Sequence, residues 1–327
     1  MVSLLLKYNK YNKIDRSIFM AHEVENMFFV GDTPWHGLGR QVIDAPTSEQ
    51  AIIQAGLDWQ VKKIPLITAD GLNRPVDHVA IERISDNSIL GVVGPRFEPL
   101  QNSAAFKFFD PFIDAGLAKY ETAGSLREGK RIWILAALNR DNIKISDGDE
   151  VKKYVLLSNS HDGSLAVRVG FTPIRVVCSN TLKMSHDNAS SQLLRVRHTA
   201  SMNANLTKIQ EIMNLADANF EATASQYKAL FNTAINSDDL ETYIKIVFKG
   251  KDTPQFKTLS GKIVELFNNG KGAELSKGTV WGAYNAVTEY LSYNAGRTAD
   301  NRLNSLWFGV NDTLNSVAFN EALKLAA

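Results

Sequence analysis

The segment Asn159-Ser160-His161-Asp162-Gly163-Ser164 sets a serine, a histidine and an aspartate side by side, the residue types of a nucleophile, its base and an orienting carboxylate. Adjacency argues against that use. A triad needs side chains that converge from separate points of the fold, and consecutive residues of extended chain point to alternate sides. Asn and Asp favour Asx-turns and Gly163 supplies positive φ, so the same six residues read as a turn between strands. The catalytic alternative stays open. It uses His161 and Asp162, with His36 brought in from a distant loop, on a nucleotide or another small substrate. No matching His or acidic ligands stand at helical spacing nearby, so neither a metal nor a cofactor is expected.

A second chemistry lies just downstream. From 165 to 200 the only acid is Asp187, against Arg168, Arg175, Lys183, Arg195 and Arg197. Three apolar runs, Leu165–Phe171, Ile174–Cys178 and Leu193–Thr199, carry the arginines at alternate positions. As strands they place Arg168, Arg175, Arg195 and Arg197 on the polar side of a small sheet, with Lys183 and His186 at its edge. A basic sheet face suits nucleic-acid phosphates, and single-stranded DNA is the expected partner. The bland counterpart is a solvated face whose arginines pair with acids elsewhere. Cys178 alternates with Ile174 and Val176 and reads as core.

The third candidate is Trp35-His36-Gly37-Leu38-Gly39. Residues 31–40 hold three glycines and one proline and read as a loop. Neither a P-loop nor a GxGxxG pattern is present, so packing of Trp35 is the simpler reading.

The elements that must position these groups follow from periodicity. Ala45 to Gln50 opens a helix with Thr47 as N-cap. Val61–Thr68, Val76–Ile84 and Ile89–Val93 are β-branched strand runs, the last two joined at Asp86-Asn87. Ser103 is the expected cap of a short helix carrying Phe106, Phe109 and Phe112, kinked or ended at Pro111. Leu117–Thr122 and Arg131–Leu138 form a hairpin whose connection holds Gly124 to Gly129. Tyr154–Ser158 precedes the arginine-bearing runs. Beyond residue 200 the period is helical: Leu206, Ile209, Met213, Ala216 and Phe220 recur every three or four residues, and further helices start at Ser237, near Leu259, at Val280 and near Leu314. Strands followed by helices predict an α+β fold, an antiparallel or mixed sheet with a helical C-terminal part. The expected division is a loosely ordered extension over 1–19, a strand-rich domain over 20–200 and a helical domain over 201–327. Met20 is a second candidate translation start.

Composition limits the classes. Of 327 residues, 44% are apolar and 22% charged, as in ordinary globular chains. A net charge of +1 means that any anion site must come from local clustering. The single cysteine excludes an internal disulfide and a cysteine zinc site. No run reaches the roughly 18 apolar residues of a membrane span, and a cytoplasmic location in a bacterial host is expected. Trp281 and Tyr293 on the helical part offer either internal packing or a homo-oligomer contact.

The run Asp32-Thr33-Pro34-Trp35-His36-Gly37-Leu38-Gly39 resembles the phage/plasmid-like family known as domain of unknown function 932. Ser158 to Ser164, continuing through Thr172-Pro173-Ile174-Arg175-Val176-Val177-Cys178-Ser179-Asn180-Thr181-Leu182, is similar to that family's central block. Arg197-His198-Thr199 and Asn285-Ala286-Val287-Thr288-Glu289-Tyr290 resemble its later blocks. The resemblance covers about residues 20 to 325. It implies a phage or mobile-element setting and carries over no catalytic residue.

Overall fold

The computed structural model describes residues 24–31, 38–44, 47–177, 180–181, 194–213, 216–296 and 298–327. The chain begins with β1 (Val24–Val30), β2 (Arg40–Val42) and α1 (Ser48–Gln54). A meander follows, of β3 (Val61–Ile67), β4 (Pro75–Arg83) and β5 (Ile89–Val93). Two short helices, α2 (Asn102–Lys107) and α3 (Asp110–Asp114), lead to β6 (Ala118–Leu126), β7 (Arg131–Leu138), β8 (Ile143–Ser146), β9 (Asp149–Ser160) and β10 (Val167–Arg175). Then come β11 (Asn180–Thr181) and β12 (Leu194–Val196). The remainder is helical: α4 (Met202–Met213), α5 (Ala216–Asn232), α6 (Ser237–Val247), α7 (Pro254–Asn269), α8 (Val280–Glu289), α9 (Ala299–Phe308) and α10 (Val310–Leu325).

The architecture is α+β, as the sequence predicts. The large sheet runs β11-β10-β9-β7-β6-β1-β2, with β12 also on β10 and β8 also on β9; β3-β4-β5 form a separate small sheet. Every described pairing is antiparallel except β1 with β2.

Side-chain alternation sorts the large sheet's two faces. Ile132, Ile134, Ala136, Val155, Leu157, Val167 and Val169 share one face, packed with Phe106, Phe109 and, from α4, Met202 and Leu206. Trp133, Leu135, Tyr154 and Leu156 alternate onto the other face, covered by Leu303 and Trp307 of α9. A third core joins Ile143, Ile145 and Val151 to α5, α6, α8 and α10. The sheet and helical cores therefore interlock across residue 200. Helix α8 is buried along its whole length, because its apolar residues surround the axis rather than forming one stripe. Trp281 is wholly buried beside Tyr227 and Tyr284 of the same chain.

Three local expectations change. Gly124 lies inside β6 rather than in the turn, because a Cβ there would overlap the Asn26 carbonyl oxygen and the side chains of Met27 and Trp133; the glycine permits close approach of neighbours. Helix α2 starts at Asn102 without a side-chain cap. Gln101 instead bonds both backbone groups of Val61. The two runs around Thr172-Pro173 form one strand, β10. Pro173 falls between the segments paired with β12 and with β11, where among the described residues β10 has no second partner to receive a donor.

Candidate functional site

Register along β10 decides where the arginines go. Arg168 pairs with Ser158 and Arg175 with Val151, and the ladder between them shows no bulge. Positions 168 and 175 differ by an odd number, so they face opposite sides of the sheet. Arg168 lies on the Leu156 and Ser158 side. Arg175 lies with Val167 and Val169 on the apolar side. The four-arginine face expected from the sequence is thus reduced by one.

Arg175 is 1% exposed. Its Nε donates to Asp149 Oδ1 at 2.7 Å, and its Nη2 donates to Asp149 Oδ2 at 2.6 Å and to the Gly272 carbonyl at 3.1 Å. Trp281 Nε1 donates to the same carboxylate at 2.9 Å, and the guanidinium carbon lies 5.7 Å from the Trp281 ring centre. This bidentate arrangement joins the sheet to α8 and holds Arg175 away from any surface ligand. Asp149 carries no local signal for the role, being 26 residues distant in the chain.

Arg168 and Arg195 are direct cross-strand partners on β10 and β12. Like charges placed opposite each other repel. Arg168 is half-buried, and its Nε has no hydrogen-bond partner. Burial first, then the Arg195 charge, push its guanidinium below the ordinary arginine range, while Asp312 of α10 acts the other way. Arg195 and Arg197 are exposed, and among the described residues neither has an ion pair. Arg168 and Arg195 therefore stand opposite each other at the sheet edge, with the exposed Arg197 two residues beyond Arg195 in the chain. Lys183, His186, Cys178, His36 and Trp35 lie outside the described residues.

The Ser-His-Asp segment spans the end of β9, at Ser160, and the loop that leads to β10. Asp162 Oδ1 accepts from the Ser164 backbone N–H at 2.9 Å, an Asx turn, and Gly163 has φ +73°. Asp162 packs beneath β5, where a Cβ on Gly91 would meet its backbone. His161 is fully buried, with its Nε2 3.0 Å from Asn102 Oδ1. The Asn102 amide nitrogen is committed to the carbonyls of Leu57 and Trp59, so Nε2 carries the proton and Nδ1 is left without a partner. Burial, the neighbouring His198 and Arg83 lower the His161 pKa to about 3 despite Asp162. His198 packs on Phe97, with its two nitrogens 3.0 Å and 3.2 Å from the carbonyls of Glu98 and Leu165. The cluster locks the loop beneath the small sheet. His161 is oriented by an amide rather than by Asp162.

Among the described residues, no group of three or more His, Cys, Asp or Glu side chains is placed to hold a metal ion, and no helix is long and apolar enough to cross a membrane. A family model described as domain of unknown function (DUF932) matches residues 89–307. No curated protein matches the chain, and no solved structure matches it.

Proposed function

The chain belongs to the DUF932 family, and on that premise we propose that it binds the phosphate backbone of nucleic acid, single-stranded DNA in the first instance, through Arg168, Arg195 and Arg197. The observation that carries this reading is the Arg168–Arg195 pair. Two guanidiniums held opposite each other at a sheet edge repel in the free protein, and a bound phosphate relieves the repulsion. Arg197 extends the cationic edge along the backbone of a bound strand. Lys183 and His186 are further contacts in this proposal. The role we assign is an accessory one in phage or plasmid DNA replication or recombination, such as protecting or annealing exposed strands.

Fluorescence anisotropy with a labelled single-stranded oligonucleotide over a salt series tests the reading. Affinity falls as salt rises, and each lost phosphate contact flattens the log–log slope by about 0.7. Arg195→Ala combined with Arg197→Ala therefore weakens binding and flattens the slope by about 1.4 if each arginine makes one contact. Unchanged affinity and slope in that variant overturn the proposal.

A further inference from the structure

Strand β9 carries a second basic feature at its other end. On one side it pairs first with β8 and then with β7. The β8 ladder ends at Ile143 with Val151, and the β7 ladder begins at Ala137 with Tyr154. Lys152 and Lys153 fall in the gap between the two, where the connecting residues 139–142 leave the ladder. An open pocket of about 380 Å³ lies there, within the roughly 300–1,000 Å³ range of small-ligand sites. Lys119, Arg140, Lys152 and Lys153 line it, with Asp141 as the only lining acid. Among the described residues the three lysines have no ion pair. Glu121 stands beside Lys119 and Lys152; burial raises its carboxyl pKa, and the two lysines oppose that shift. Burial and then Arg140 lower the Lys153 pKa while Asp141 and Glu221 act the other way, and its Nζ lies 5.3 Å from the Phe220 ring centre.

We propose that the gap between β7 and β8 is a phosphate-binding pocket in which Lys119 and Lys152, which register places on the same face of the sheet, hold a phosphoryl group. The group belongs either to a free phosphorylated small molecule or to a nucleic-acid strand. The inference rests on the break in the ladder and on the excess of basic side chains lining the pocket there, and stands apart from the arginine edge.

Isothermal titration of the full chain with inorganic pyrophosphate tests it. The native protein binds, and Lys119→Ala with Lys152→Ala weakens binding by about tenfold or more, as loss of charge-assisted bonds to phosphate requires. Lys119→Arg with Lys152→Arg keeps the charge and retains binding. Arg195→Ala with Arg197→Ala leaves pyrophosphate binding unchanged, so failure of the arginine reading and failure of this one are separable. An oligonucleotide titration of the double-alanine lysine variant identifies the source: weakened binding means a strand phosphate, and unchanged binding means a free ligand. No pyrophosphate binding by the native protein, or equal binding by the native and double-alanine lysine proteins, overturns the proposal.

Discussion

Asp149 holds Arg175 through two hydrogen bonds while neither side chain reaches solvent. The pair ties the end of the sheet to α8 through the Trp281 indole. Removing one partner leaves an uncompensated buried charge, which costs far more than the pair contributes net. Asp149→Ala should therefore lower unfolding free energy by about 3–5 kcal/mol, measured by urea denaturation. A loss below about 1 kcal/mol would show that water reaches Arg175 and that the junction is open.

Acid should destabilise the protein through its buried histidines. The pKa of His161 is depressed to about 3 in the fold, against about 6.5 in an unfolded chain. Between those values the unfolded state binds a proton that the folded state refuses, so stability falls as pH drops from 6.5 towards 3. His198 is shifted in the same direction, chiefly by burial. Each fully coupled histidine contributes a slope of up to about 1.4 kcal/mol per pH unit. Urea midpoints measured from pH 7 to pH 4 should shift less in His161→Gln than in the native protein. Parallel pH profiles for the two would remove His161 from this account.

Two glycine substitutions should act with opposite signs. Gly124→Ala forces a methyl group against Met27, Trp133 and the Asn26 carbonyl, and should cost about 1–3 kcal/mol through overpacking. Gly261 sits within α7, and a Cβ there meets nothing within 4 Å. Gly261→Ala should gain about 0.5–1 kcal/mol through helix propensity and a less flexible unfolded chain. Thermal melts of the two variants, read against the native protein, check both the contact and the open site.

Arg168 offers a trade between stability and binding. Arg168→Met removes the cross-strand repulsion with Arg195 and keeps an unbranched stem to pack. Stability should rise by a few tenths to about 1 kcal/mol, while affinity for a single-stranded oligonucleotide falls. A variant that binds the oligonucleotide as well as the native protein does would remove Arg168 from the proposed edge.

Much of this fold is legible in the residues themselves. Thr47 caps α1 by accepting from the Gln50 N–H, and Asp86-Asn87 turns between β4 and β5 with Asn87 at φ +59°. Asp162 closes its own turn onto Ser164. Each of these interactions joins residues at most three apart, so chain order alone brings the groups together. Gly124 shows where such reading stops. A glycine marks either a turn or a crowded neighbour, and only the neighbours Asn26, Met27 and Trp133 decide which.

The sequence by itself determined the alternation within each run, the helical period beyond residue 200 and the local excess of arginine. Tertiary structure decided what those arginines face. A strand's side-chain alternation is fixed only while the strand is unbroken, and pairing with β9 carries β10 through Pro173. That continuity sends Arg175 inward to Asp149 and leaves Arg168 beside Arg195. The lysine pocket has the same origin, because β7 and β8 meet the same edge of β9 with a gap opposite Lys152 and Lys153. Both outcomes depend on hydrogen bonds between strands distant in the chain, which no local pattern of residues specifies.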